Sequence, residues 1–362
     1  MVLDVDTGGV PDHSRVMICE VKPAKPNTER PALIQLLETI SGGSLVTPCR
    51  WVIASLLFIA ASVLAADNDH WDDQFGAPGV DQLVMTIATN GNYVYVGGGF
   101  GIAGSEVTQG IARWDGTNWS SIGGISGSIP LVYSILAHGS DIYAAGYFTN
   151  VGNVAARSIA RWNGQSWSAL GGGVNGLAVC MAFLGNDLYV GGYFSQAGGV
   201  NATNIARWDG TNWYAVGSGL SGNTNGLYPT VGALAVGATG DLYAAGLFQF
   251  AGSLPVNNIA RWDGSQWNAL GSGVFSGPSP VISDMKYKNG TVYVAGSFRS
   301  ASGVNATNIA RWDGSSWSAM GGGPFGTNTC LAFVGDTLYT AGNFTNIGGA
   351  KALNVARWNG AA

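Results

Sequence analysis

Few side chains in this sequence could carry acid–base chemistry, and they follow no known catalytic pattern. Beyond residue 67 the chain has one glutamate, Glu106, and two histidines, His70 and His138. The segment "SDMKYKNG" places Asp284 and Lys286 two positions apart. The sequence has no Cys/His zinc spacing, no nucleophile elbow and no Gly-rich phosphate loop. We therefore expect no cofactor and no metal, and take Asp284 and Lys286 as a candidate polar site.

Aromatic residues in the connecting segments form a second candidate site. Tyr228, Phe250, Phe275 and Phe325 lie in segments rich in Gly, Asn, Ser and Pro. Exposed aromatic side chains that cluster on one face are typical of interaction surfaces. The alternative is that these side chains fold inward and fill their own loops.

A repeated motif positions these residues. "NIARWDGTNW" at 204–213 is one of six copies of a motif that varies slightly along the chain. The motif arginines are Arg113, Arg161, Arg207, Arg261, Arg311 and Arg357, so successive gaps are 48, 46, 54, 50 and 46 residues. A period in this range indicates a solenoid, a propeller or an array.

Each period contains four short apolar segments of strand composition, such as "NWYAVGSG", "VGALAVGATG", "LYVGGYF" and "NIARWDG". Asn-Gly and Asp-Gly pairs between them favour tight hairpins. The pattern predicts an all-β fold, a six-bladed β-propeller with four antiparallel strands per blade. The last unit lacks its second Trp, and the segment around Trp71 resembles the missing strand. We expect this N-terminal strand to complete the C-terminal blade and close the ring.

The motif side chains have a structural and a functional interpretation. Tryptophans could stack on sugars and the arginines could bind anions, but residues present in every blade favour blade packing and inter-blade struts. Besides the six motif arginines, the predicted structural residues are Trp71, Trp114, Trp119, Trp162, Trp167, Trp208, Trp213, Trp262, Trp267, Trp312, Trp317 and Trp358. The Asp of each "WDG" is expected to form a turn.

One position of the apolar strand differs between repeats. Counting back from the following strand, we expect it to be filled by Thr86, Ser134, Cys180, Leu234, Asp284 and Cys330. Asp284 is the only charge among them. Because Cys180 and Cys330 fall three blades apart, we predict two free thiols.

The N-terminal region differs in composition from the repeats. Residues 51–66 are apolar and uncharged, 16 residues long, and end in "VLAA". A spanning helix needs about 20 residues, so we expect a signal peptide cut near Ala65 or Ala66. Residues 1–50 would be a disordered leader, and residues 67–362 the secreted, periplasmic or surface propeller without a membrane span. An early start codon or a tail on a retained anchor are the alternatives.

The pattern "LYVGGYF…NIARWDGTNWYAVGSG" resembles the kelch repeat, with Gly191-Gly192 as its glycine pair, Trp208-Asp209 as its aromatic-Asp pair and a later Trp213. The resemblance runs from Trp71 to Gly360 and implies a galactose-oxidase/kelch type of propeller. The repeat sequence is also similar to the propeller repeats of fungal cortical-marker proteins and bacterial exported proteins. The copper ligands of galactose oxidase have no counterpart, because this region has only two histidines.

The leading hypothesis is an exported, non-catalytic, monomeric propeller that binds a protein or glycan through its longer-loop face. On this face we expect the loops between blades to lie together with the loops that join segments such as "LYVGGYF" and "NIARWDG". Residues 67–362 contain 11 Lys and Arg against 15 Asp and Glu, which gives no basic footprint for nucleic acid. One alternative is a carbohydrate-active or oxidase-like enzyme that uses Asp284, Lys286 and His138. The other is an architectural surface repeat protein.

Overall fold

The computed structural model describes residues 79–222, 227–275, 281–324, 326–358 and 360. The expected leader 1–50, the signal region 51–66, Trp71 and Phe325 lie outside the described residues. The described residues form strands and turns, and no helix among them could cross a membrane.

The first three repeats contain the following strands. The first repeat comprises β1 (Leu83–Asn90), β2 (Tyr93–Gly99), β3 (Ile102–Ala103), β4 (Glu106–Val107), β5 (Ile111–Trp114) and β6 (Trp119–Ser121). The second comprises β7 (Ile125–Ser126), β8 (Leu131–His138), β9 (Asp141–Tyr147), β10 (Asn150–Val151), β11 (Val154–Ala155), β12 (Ile159–Trp162) and β13 (Trp167–Ala169). The third comprises β14 (Leu177–Leu184), β15 (Asp187–Tyr193), β16 (Gln196–Ala197), β17 (Val200–Asn201), β18 (Ile205–Trp208) and β19 (Trp213–Ala215).

The last three repeats continue the same order. The fourth comprises β20 (Leu220–Ser221), β21 (Thr230–Val236), β22 (Leu242–Leu247), β23 (Phe250–Ala251), β24 (Leu254–Pro255), β25 (Ile259–Trp262) and β26 (Trp267–Ala269). The fifth comprises β27 (Val274–Phe275), β28 (Val281–Lys288), β29 (Thr291–Ser297), β30 (Ser300–Ala301), β31 (Val304–Asn305), β32 (Ile309–Trp312) and β33 (Trp317–Ala319). The sixth comprises β34 (Gly326–Val334), β35 (Thr337–Phe344), β36 (Asn346–Ile347), β37 (Ala350–Lys351) and β38 (Val355–Arg357).

The long strands of each repeat form one main antiparallel sheet, and we number its strands first to fourth in chain order. The first five repeats have four-stranded main sheets, for example β14-β15-β18-β19. In the sixth repeat the described residues form a three-stranded sheet, β34-β35-β38. The predicted all-β architecture of four-stranded antiparallel units is therefore confirmed.

Apolar side chains from consecutive sheets pack together into a series of cores. One core joins Tyr143 and Ile159 of the second main sheet to Met181, Leu188 and Val190 of the third. The Ile and Ala of each "IARW" in the first five repeats are buried, although they point to opposite faces of their strand. Both faces of these sheets are thus covered by neighbouring side chains.

The second glycine of each "GG" or "AG" pair permits a bulge in the first strand. Pairing of β14 with β15 shifts register between Ala178 and Cys180, opposite Gly191 and Gly192. A Cβ at Gly192 would lie 2.0 Å from the Leu177 carbonyl oxygen, so no side chain fits there. This close approach explains why alanine replaces the first glycine of the pair in several repeats and not the second.

The second tryptophan of four motifs connects consecutive sheets. Trp213 Nε1–H donates to the carbonyl oxygen of Leu170, at the end of the preceding sheet, over 2.8 Å. Trp167, Trp267 and Trp317 make the equivalent bond at 2.6, 3.3 and 2.8 Å. The first tryptophan lies beside the second in its own sheet, as in Trp208 and Trp213, whose ring centroids are 5.3 Å apart.

The motif arginines whose partners are seen bond within their own sheet, which corrects the predicted inter-blade strut. Arg161 pairs with Asp141 at 2.7 Å, and the third repeat has the same pair at 2.8 Å. In the first repeat Tyr93 replaces the aspartate, and the Arg113 guanidinium lies 4.4 Å from its ring centroid. Since these arginines are partly exposed, each pair contributes at most about 1 kcal/mol. The inter-sheet role belongs to the tryptophans instead.

The turn aspartates behave as predicted. Asp209 Oδ1 accepts the backbone N–H groups of Thr211 and Asn212 at 2.8 and 2.7 Å, as in other Asx turns. These bonds, that of Asn212 first, lower the pKa of the Asp209 carboxyl because they favour its charged form. Asp115, Asp263 and Asp313 make the same turn.

The Asn that opens "NIARW" has a structural role that sequence reasoning missed. Asn204, Asn258 and Asn308 adopt left-handed φ angles of 62–65°, which Asn tolerates better than most residues. The Asn204 side chain accepts the Phe194 N–H and donates to the Leu220 carbonyl. The recurrence of a polar Asn directly before an apolar strand was the available sequence signal.

Replacing Trp213 with Phe is predicted to lower the free energy of unfolding by about 1–3 kcal/mol, because the buried Leu170 carbonyl loses its donor. Urea denaturation measures the change. Tyr214→Phe, at the exposed neighbouring position, is the matched control and should stay within about 0.5 kcal/mol of the parent. Equal stabilities of the two variants would contradict the inter-sheet role of the indole.

Candidate functional site

The longer-loop face is built from the segments between main sheets and the small hairpins between second and third strands. These two kinds of loop pair with each other, as β7 does with β10, β20 with β23 and β27 with β30. The isolated bridges Val80–Ala103 and Val174–Ala197 repeat the arrangement. The two loop types therefore share one face, as the sequence predicts.

Three of the four predicted aromatics are exposed on the longer-loop face. Tyr228 is 59% exposed, Phe250 40% and Phe275 36%. Sequence reasoning missed Tyr193, which ends β15 and lies 5.2 Å from Tyr228 between ring centroids. Tyr193 looked like part of a structural strand motif, so its exposure carried no sequence signal. The exposure of these side chains opposes the alternative in which they fill their own loops.

A cavity of about 220 Å³ lies where the first strands of all six main sheets meet. We call it the first-strand cavity. Among the residues that the structure describes, Asp284 and Lys286 are the only charged side chains that line it. Its other lining residues are Met85, Thr86, Tyr133, Ser134, Cys180, Met181, Gly232, Ala233, Leu234, Ser283 and Cys330.

Asp284 uses both carboxylate oxygens to join two sheets. Oδ1 accepts from Lys286 Nζ at 2.6 Å and from the Met285 N–H at 2.7 Å. Oδ2 accepts the Leu331 N–H of β34 at 2.8 Å. Thr86 Oγ1 makes the corresponding bond to the Ile135 N–H between the first two sheets. Because both carboxylate oxygens are occupied by these bonds, they favour a structural role for Asp284, in which it joins two sheets, over an acid–base role.

The pairing register corrects one of the predicted equivalent positions. Thr86, Cys180 and Asp284 each directly follow the bulge of their first strand. In the fourth repeat the residue after the bulge is Ala233 and not Leu234. The hairpin between β21 and β22 is longer than in the other repeats. Counting back from the following strand therefore gave a position one residue too far along the first strand.

Cys180 and Cys330 are free thiols, as predicted, and both line the first-strand cavity. Burial raises the pKa of both thiols, and for Cys330 the nearby Asp284 carboxylate raises it further, to about 12. Both thiols are thus protonated at neutral pH, which suits packing more than reactivity.

The remaining acid–base candidates stand apart. His138 stacks on Phe183 of the next sheet with 3.7 Å between ring centroids, and it does not line the first-strand cavity. Glu106 lies exposed in β4. No three His, Cys, Asp or Glu residues converge in the described part of the chain in a way that could hold a metal.

The repeated four-stranded antiparallel sheets define the chain as a β-propeller protein. Residues 186–208 and 288–313 match a family described as "Domain of unknown function (DUF5122) beta-propeller". Both matched segments run from the start of a second strand region to the end of a third strand. No curated protein gives a significant sequence match.

Solved structures similar to this chain are distant in sequence. One, described as "YCF48 bound to D1 peptide", is 15% identical with a TM-score of 0.45, covering 81% of this chain and 85% of that chain. Another, "Structure of YjhT", is 14% identical with a TM-score of 0.42, covering 76% of this chain and 96% of that chain.

Replacing Asp284 with Ala is predicted to destabilise the chain by about 1–3 kcal/mol, because the Leu331 N–H loses its acceptor. Asp284→Thr should recover most of this loss, since Thr86 makes the same inter-sheet bond with a hydroxyl. Chemical denaturation of both variants tests the assignment. Equal losses for Ala and Thr would show that the bond to the next sheet is not the stabilising element.

Native Cys330 is predicted to resist iodoacetamide at pH 8. A pKa of about 12 lowers its thiolate fraction roughly a thousandfold relative to an ordinary thiol. Mass spectrometry of the alkylated protein, folded and in urea, measures the protection. Rapid labelling of the folded chain at this residue would contradict the burial described above.

Proposed function

We propose that this chain is an exported, non-catalytic β-propeller that binds a protein or glycan through its longer-loop face. The observation that carries the proposal is the exposed aromatic group Tyr193, Tyr228, Phe250 and Phe275 on that face. Aromatic side chains supply large contact areas at low entropic cost. The described acid–base groups are either engaged, as Asp284 is, or isolated.

The proposed architecture is a six-bladed closed ring of kelch type. It is supported by a cavity lined from all six first strands and by six main sheets in the described residues. The described part of the sixth sheet has three strands, and we propose that the segment around Trp71 supplies the fourth. This arrangement would cover the last open sheet edge.

The proposed location is outside the cytoplasm, as a monomer, after cleavage near Ala65 or Ala66. It is supported by the apolar run 51–66 that precedes the repeats. The low count of basic residues supports a partner other than nucleic acid. Phe325, in the segment after the fifth sheet, remains a proposed member of the binding face.

The test is binding of residues 67–362 to an array of glycans, cell-wall polymers and peptides, with and without calcium. A triple variant, Tyr228→Ala, Phe250→Ala and Phe275→Ala, should lose at least about tenfold in affinity for any specific hit. The matched control replaces Tyr93 and Tyr214, each 38% exposed away from this face, and should bind normally. A specific hit that both variants retain would sink the proposal.

A further inference from the structure

A second cavity opens on the longer-loop face between the second and third main sheets. Its volume is about 270 Å³, and its lining includes Tyr147, Phe148, Arg157, Ser158 and Asn175. We call it the Arg157 pocket. Sites for drug-sized ligands are typically roughly 300–1,000 Å³, so this pocket has room for a single small ring.

The pocket lies where the chain departs from its own repeat. Ser158 occupies the position before "IARW" that holds Asn204, Asn258 and Asn308 in later repeats, and it keeps the same left-handed backbone, with φ 61°. Those asparagines use both ends of the amide. Ser158 Oγ reaches only the Gly176 carbonyl, at 2.6 Å. The shorter side chain leaves open the space that an amide fills elsewhere.

The change from Asn to Ser also releases a backbone donor. The Phe194, Phe248 and Phe298 N–H groups each donate to the Asn Oδ1 of their own repeat at 3.0–3.3 Å. Among the described residues the equivalent Phe148 N–H has no protein acceptor. Phe148 is 3% exposed and lines the pocket. An unpaired donor at such a site favours a ligand that supplies an acceptor.

Arg157 adds a cation to the same pocket. It is exposed and forms no ion pair within the described residues, in contrast to Arg161. The equivalent residues of the third and fifth repeats are Thr203 and Thr307. No acidic side chain of the described part of the chain lines the pocket. Its available donors are therefore a planar guanidinium and a backbone N–H, because the Ser158 hydroxyl already donates to the Gly176 carbonyl, and these two donors match a carboxylate.

Aromatic rings flank this donor group along the face. Tyr147 ends β9 at the pocket and is 41% exposed. Tyr193 ends β15 at the equivalent position of the next repeat and is 38% exposed. Two tyrosines at matching positions of adjacent sheets provide successive stacking surfaces, which suits neighbouring rings of a polymer.

We propose that the Arg157 pocket binds the carboxylate of a hexuronic acid unit in an acidic polysaccharide. Arg157 and the Phe148 N–H hold the carboxylate oxygens, and Tyr147 packs against the sugar ring. This inference rests on the proposed function, of which it specifies the glycan class and one subsite.

The experiment measures binding of tetragalacturonate to residues 67–362 by calorimetry, with the methyl ester of the same oligomer as its uncharged match. The acid should bind more than about tenfold tighter than the ester, and added salt should weaken the acid alone. Arg157→Thr and Ser158→Asn install residues that the other repeats carry at these positions. Both should fold as the parent does and lose the preference for the acid, whereas Arg299→Thr on the same face should keep it.

Equal binding of acid and ester, no binding of the acid, or an acid preference that survives in both folded pocket variants would overturn the inference. The aromatic triple variant tests the proposed function separately. If the aromatic triple variant loses an array hit while the pocket variants still prefer the acid over the ester, the proposed function stands and the uronate subsite fails.

Discussion

The contact between the tryptophan pair of one sheet and the glycine turn of the preceding sheet is the constraint on which the rest of this structure depends. A Cβ at Gly171 would lie 3.2 Å from the Trp208 ring, and one at Gly217 would lie 2.9 Å from the Trp262 ring. The indole of the second tryptophan then bonds to a carbonyl beside the same turn. Repeats such as the third thus provide both halves of the contact, which explains why the motif keeps its tryptophans and glycines together.

Because the repeated residues are committed to this stacking, the positions where repeats differ are the ones left free for other roles. Asp284 substitutes for a hydroxyl that makes the same inter-sheet bond elsewhere. Ser158 stands where later repeats have an Asn that would fill the Arg157 pocket, and Arg157 stands where the other repeats have an uncharged residue. Tyr193 pairs with Tyr228, a residue of the irregular segment that precedes the fourth main sheet. These non-repeated residues lie either on the longer-loop face or in the first-strand cavity.

Much of the fold could be predicted from the sequence because strand alternation, Asn-Gly hairpins and the motif period are local signals. The role of the arginines could not be predicted, since a guanidinium can reach partners in its own sheet and in the next sheet equally well. Leu234 was misplaced because one longer hairpin shifts a count but not a hydrogen-bond register. Asn204 and the serine at the equivalent position, Ser158, can be seen in the sequence. Their structural roles could not be inferred without knowing the left-handed backbone conformation at these positions. The exposure of Tyr193 depends on what the adjacent loop covers.

The measurement that tests the central claim most directly is a hydrogen–deuterium exchange footprint of the chain with a ligand bound. The account predicts protection confined to the longer-loop face, at residues 127–129, 147–149, 174–176, 193–195, 227–230, 249–251 and 274–275. The tight turns at 115–118 and 209–212 should exchange as in the free chain. Protection at those turns with an unchanged longer-loop face would contradict the account.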